Sequence, residues 1–138
     1  MLMDFTVHTD VLEGSPALPA FMREYADLIE RGWARPYTAH NEKHKVCYAR
    51  NPDKRVMGGL VYGLNQLTKV GWIVFSFTVP EFRRQGVYTA LHREVEDLMR
   101  QAGMTSLASH VHVDNLVRQA SCSQVGMMPE FLRMNKRL

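Results

Sequence analysis

Within residues 70–102 the hydrophobic period changes once, and that change constrains the fold more than any other feature of the sequence. Val70 to Val79 (VGWIVFSFTV) is an apolar run rich in β-branched and aromatic residues, which predicts a strand. Pro80 ends it, because proline donates nothing to a ladder and holds Val79 extended. After Arg83-Arg84-Gln85-Gly86, the residues Val87, Leu91, Val95, Leu98 and Ala102 recur at helical spacing. They predict an amphipathic helix from Val87 to Ala102, closed by Gly103.

The other segments fall into place around this unit. Asp4 to Thr9, Lys45 to Arg50 and Arg55 to Leu64 read as strands, the last two joined through the Asn51-Pro52-Asp53 turn. Ser15 as cap and Pro16 as first residue predict a helix from Pro16 to Arg31, stopped by Gly32. Downstream, Ser106 to Val113 is expected as a strand, Asp114-Asn115 opens a helix that stops at Gly126, and Phe131 to Lys136 forms a last strand. The expectation is one α/β (α+β) domain over residues 1–138, with a mixed, mostly antiparallel sheet flanked by helices.

Composition narrows the function classes. The 138 residues are 46% hydrophobic and 22% charged, which excludes a disordered, collagen-like or coiled-coil chain and is enough for a core without disulfides. Cys47 and Cys122 form no CxxC pair, which fits a reducing compartment. No run reaches the length of a membrane span and the first residues lack a signal peptide's apolar region, so a cytoplasmic protein with no membrane contact is expected. The net charge of +3 is spread in runs of two at most, which argues against nucleic acid and hints at anionic ligands. His40 and His44 lack the glutamate position of a zinc helix, so no metal is expected.

The loop before the long helix carries the chemistry. Amides in the first turn of a helix have no internal partner and the helix dipole favours an anion there. Gly86 lets the backbone approach a phosphate, and Arg83 and Arg84 add charged donors. The loop is neither a P-loop nor a dinucleotide fingerprint. The same residues also suit an ordinary basic loop in which Gly86 only relieves crowding.

The segment VPEFRRQGVYTAL resembles the acetyl-CoA motif of the GNAT superfamily of N-acetyltransferases, Gln/Arg-x-x-Gly-x-Gly/Ala, with Arg83, Gly86 and Tyr88 at its places. Tyr88 departs from the small residue usual there. Asn115 followed by Gly126-Met127 resembles the family's second signature, and the element order agrees over the whole chain. The resemblance implies fourth and fifth strands that splay apart to admit the pantetheine arm as an extra strand. It implies that Phe77 and Val79 offer backbone groups to pantetheine and the thioester. The amides of Arg84, Gln85, Gly86, Val87, Tyr88 and Thr89 would hold the diphosphate, with Asn115 beside the arm.

Its reaction would be direct transfer of an acetyl group from acetyl-CoA to an amine of a small molecule or a protein. Many members protonate the leaving thiolate with a Tyr whose place here is taken by Cys122; packing on a buried helix face is the competing role for that thiol. A glutamate base of some members corresponds to Trp72, which cannot act as one. His110 and His112 share a strand face, and His112 is the candidate base, with water-relayed deprotonation open. Phe21, Tyr25, Trp33 and Tyr37 are candidates for the acceptor wall, whereas Glu24, Asp27 and Glu30 read as a solvated face. A homodimer is a family habit. The alternatives are a GNAT-fold interaction module without activity and a nucleic-acid binder.

Overall fold

Strands whose residues are apolar almost without interruption need cover on both faces, and the chain supplies a helix for each. In the computed structural model, which describes residues 4–35 and 44–138, the order is β1 (Thr6–Val11), α1 (Leu18–Glu30), β2 (Lys45–Arg50), β3 (Val56–Asn65) and β4 (Val70–Thr78). A 3-10 turn (Pro80–Phe82), α2 (Val87–Gln101), β5 (Ser106–Ser109) and α3 (Leu116–Gln124) follow. The sheet has five strands in sequence order, antiparallel from β1 to β4 and parallel between β4 and β5.

Strand alternation divides the core in two. Cys47, Ala49, Leu60 and Tyr62 pack with Val87, Leu91, Val95 and Met99 of α2 on one face. Val46, Tyr48 and Val61 pack with Ala17, Ala20 and Phe21 on the other. Leu91 is 1% exposed, so Leu91→Ala would remove a fully buried side chain at a cost of about 2–5 kcal/mol.

Two irregularities open the sheet where β4 meets β5. Val61 pairs with Phe75 and Tyr62 with Ile73, so Val74 is an unpaired bulge residue that kinks β4. The β4–β5 ladder runs from Val70 with Ser106 to Ile73 with Ser109 and stops, and the Ser109 hydroxyl donates to the Ile73 carbonyl at 3.0 Å as the last link. Beyond it β4 continues to Thr78 without β5, which is the expected splay.

Four local expectations are corrected. The predicted strand Ser106 to Val113 keeps only Ser106–Ser109, because residues 110–113 have left the β4 edge. The first helix begins at Leu18 with Pro19 in its first turn, since the Ser15 hydroxyl accepts from the Ala17 amide and closes a turn ahead of the helix. The first strand lies two residues later than predicted, because β1 takes its register from β2, with Thr6 on Arg50 and Val11 on Lys45. Residues 131–136 form no strand: no ladder partner reaches them among the described residues, and Phe131, Leu132 and Met134 are exposed. Tyr37 and residues 40–43 lie outside the described residues. Among those described, no helix is long and apolar enough to cross a membrane.

Candidate active site

The parting of β4 from the chain after β5 leaves a cleft of about 1200 Å³, walled by α1, β4, residues 109–112, α3 and the first turn of α2. One end is built from the loop before α2. Arg84 (φ 64°) and Gly86 (φ 80°) both take left-handed backbone conformations, and alternation of this kind turns successive amides to one side. A Cβ on Gly86 would meet nothing within 4 Å, so the glycine is there for its backbone conformation and for open access.

Ala90 donates the first helical bond, to the Gly86 carbonyl at 3.1 Å, and no side chain caps α2. Among the described residues the amides from Arg84 to Thr89 are therefore left without a protein partner, at the positive end of the helix dipole. A forked Arg55–Glu81 ion pair and the Arg55 guanidinium 5.1 Å from the Phe82 ring centroid tie this loop to the start of β3. Arg83 donates to the Thr78 carbonyl at 3.3 Å, which turns its side chain back along β4.

Of the β4 residues expected at the site, Phe77 lines the cleft and Val79 follows it at the strand end. Asn115 caps α3, its Oδ1 accepting from the Arg118 amide at 3.1 Å, so the donors of its amide group remain for a ligand. Tyr88, the departure from the family pattern, turns its side chain toward α3. Its hydroxyl accepts from Arg118 Nη1 at 2.8 Å and its ring carries the guanidinium 5.4 Å from the centroid. Burial pushes the Tyr88 phenol above its usual value, against the pull of the Arg118 charge. The ring also meets His92, whose imidazole is 2% exposed and held below its usual pKa by burial, with Glu96 opposing.

The two imidazoles after β5 line the cleft in different states. His112 stacks on Trp33 at 6.0 Å between centroids, and its Nδ1 accepts from the Asp114 amide at 3.1 Å. A backbone amide only donates, so the proton of neutral His112 sits on Nε2. His110 stacks on Trp72 at 4.9 Å and neither of its ring nitrogens has a hydrogen-bond partner among the described residues. Cys122 is 8% exposed on the inner side of α3; Ser121 lines the cleft and Cys122 does not.

The acceptor wall differs from expectation in part. Tyr25 and Trp33 line the cleft, with the Tyr25 hydroxyl donating to the Arg35 carbonyl at 3.0 Å. Phe21 is completely buried in the core, its ring edge-on to Phe75. Glu24 and Asp27, read from sequence as a solvated face, also border the cleft, Asp27 remaining exposed and paired with Arg31 at 3.1 Å. Arg118, too, has its place only in three dimensions; its single sequence signal is its spacing from Asn115, which puts it in the first turn of α3.

The comparisons agree with this geometry. No curated protein matches the chain. Among solved structures, the ribosomal-protein-alanine N-acetyltransferase of Brucella melitensis biovar Abortus 2308 superposes with a TM-score of 0.75 at 13% identity, covering 98% of this chain and 100% of that one. An aminoglycoside acetyltransferase from an uncultured soil metagenomic sample gives 0.72 at 13%, covering 97% and 96%. The aminoglycoside N-acetyltransferase AAC(6')-Iy, in complex with CoA, gives 0.70 at 16%, covering 96% and 100%. At such identities these likenesses establish the fold. The sequence model of the Acetyltransferase (GNAT) family matches residues 11–127, a span that contains the bulged strand, the open helix end and Asn115, and the chain belongs to that family.

Proposed function

We propose that the protein is an N-acetyltransferase that moves the acetyl group of acetyl-CoA to a primary amine by direct attack. The observation that carries the reading is the open end of α2: a run of partnerless amides at the mouth of a cleft whose far wall is a strand edge freed by the Val74 bulge. The amides from Arg84 to Thr89 suit a diphosphate, and the free edge of β4 around Phe77 suits the amide-bearing pantetheine arm. Glu24, Asp27 and Asp114 line the same cleft beside Arg31, Arg35, Arg83, Arg84 and Arg118, and Asp27 is already paired with Arg31 at 3.1 Å, so the surplus of cationic side chains favours the anionic cofactor.

In the proposed reaction the neutral amine attacks the thioester carbonyl, a C–N bond forms, the C–S bond breaks, and the amine proton leaves to a base. The Val79 N–H, expected from the sequence to serve the oxyanion, already donates to the Met57 carbonyl at 2.8 Å, so the oxyanion would take its donor from another group on the free edge of β4. His110 is the better placed base of the two histidines, since its ring nitrogens are uncommitted, whereas His112 offers an N–H donor. Cys122 is buried and does not line the cleft, and a thiolate is a good enough leaving group to depart with little need of an acid.

The test begins with thermal unfolding in the presence of acetyl-CoA and of CoA, where a ligand at a hundred times its Kd adds about 2.7 kcal/mol. Thiol release with a panel of amines follows. Under the proposal His110→Gln lowers kcat with little change in KM, while His112→Gln acts mainly on KM. A stabilised protein that releases no thiol with any amine would favour the interaction module, the second reading that the inward-facing Cys122 supports.

A further inference from the structure

The described residues contain three buried side-chain polar atoms without a hydrogen-bond partner: Gln85 Oε1, His92 Nε2 and Arg118 Nη2. All three lie about the first turn of α2. Gln85 precedes Gly86 in the loop, while His92 and Arg118 both contact the Tyr88 ring. Such orphans are rare in native structures, and of the three only the Arg118 atom belongs to a residue that lines the cleft.

Arg118 is the most demanding of the three. Nη1 is used on the Tyr88 hydroxyl, Nη2 is sealed from solvent with nothing to bind, and no carboxylate lies within ion-pair distance among the described residues. A partly buried guanidinium without a counter-charge is strongly unfavourable. The Tyr88 hydroxyl accepts from Arg118, and its own proton has no acceptor among the described residues. Two unused donors thus stand side by side, on residues that line the cleft where the loop amides end. A guanidinium edge beside a hydroxyl matches the oxygens of a phosphate in charge and in donor geometry.

We infer that Arg118, held in place by Tyr88, is a ligand of the CoA diphosphate, gripping it from α3 while the amides of Arg84 to Thr89 hold it from α2. This rests on the acetyl-CoA reading above. It also accounts for Tyr88 at a position where the family motif has a small residue: the phenol is the post on which the arginine is set.

The experiment is calorimetric titration of the intact chain and of Arg118→Met with CoA and 3′-dephospho-CoA, with pantetheine followed by NMR shifts. The expected result is a loss of about tenfold or more for CoA and dephospho-CoA alike and none for pantetheine, as for removal of a charge-assisted contact. The unliganded Arg118→Met protein should be as stable as the wild type or more so, since an uncompensated charge is gone. Tyr88→Phe should show a smaller loss with the same ligand pattern. If Arg118→Met does not fold, Arg118→Lys replaces it, with a partial loss for the two nucleotides expected. Equal losses for pantetheine, a loss confined to CoA and its 3′-phosphate, or unchanged affinities would each overturn the inference while leaving the acetyl-CoA reading intact. Failure of the wild-type chain to bind CoA would remove both.

Discussion

A Cβ built on Gly58 would lie 2.7 Å from the carbonyl oxygen of Phe77 and 3.1 Å from Val87 Cγ1, so β3 and β4 approach here as only glycine allows. Gly58 pairs with Thr78, directly before the loop, so this close contact sets where the cleft wall ends. The blocking atom belongs to the backbone and cannot rotate away. Gly58→Ala should destabilise the protein by about 1–3 kcal/mol through overpacking. It should also weaken acetyl-CoA binding by displacing the end of β4. Urea unfolding and calorimetry check the two effects, and an unchanged midpoint would count against the packing argument.

Gly86→Asp combines two faults. Its φ of 80° strains any residue with a β-carbon, at a cost of about 1 kcal/mol or more, and its carboxylate would face the amides meant for an anion. The expected outcome is a folded protein with a slightly lower Tm that acetyl-CoA no longer stabilises. Gly86→Ala, which carries the strain without the charge, should retain measurable binding. Wild-type affinity in the Asp variant would take the diphosphate out of this loop.

His92 makes the fold sensitive to acid. Burial lowers its pKa in the folded chain below the ordinary value of about 6.5 that it regains on unfolding. Between those two values the unfolded chain binds a proton that the folded chain does not. The stability is therefore complete above about pH 6.5 and is lost as pH falls from there through the folded value. Denaturant midpoints measured from neutral pH downward should fall less steeply in His92→Gln than in the wild type. Parallel slopes would mean that Glu96, 3.2 Å from Nδ1, fully offsets the effect of burial, and a wild type that falls less steeply than the variant would mean that it keeps the folded imidazole protonated.

Cys122→Ala tests whether the thiol takes part in the chemistry. Because the side chain packs inward from α3, the substitution should leave the turnover rate within about twofold and lower stability by roughly 1 kcal/mol. Steady-state kinetics with an active amine decides it, a drop of tenfold or more in kcat at unchanged stability assigning the thiol a chemical role.

Local order explains what the sequence disclosed. The meander from β2 to β4 and the whole of α2 follow from hydrophobic period and proline and glycine positions, and their observed bounds differ by one residue or less. Where the outcome depended on a distant partner, sequence was a poorer guide. Residues 110–113 have strand character but lose their neighbour when β4 bulges, and residues 131–136 have apolar residues but pair with no strand among the described residues. The loop amides were legible from strand, basic residues, glycine and helix in succession. Tyr88 with Arg118, Trp72 with His110 and the inward side of Cys122 depend on how α3 and β5 settle against the rest, which no local pattern encodes.

The ladder between β4 and β5 also orders events in time. β2 to β4 form from adjacent segments, whereas Val11 finds Lys45 only after α1 and Val70 finds Ser106 only after α2 has crossed over, and only four residue pairs then hold β5 against six for β1. Contacts that wait on such a closure form late in folding and open first in the native state. The cleft is thus assembled by the least secure joint of the sheet. Occupancy of the cleft should slow hydrogen exchange at Ser106 to Ser109 and in α3 far more than in β2 and β3, so the ligand serves as the last structural member of the domain.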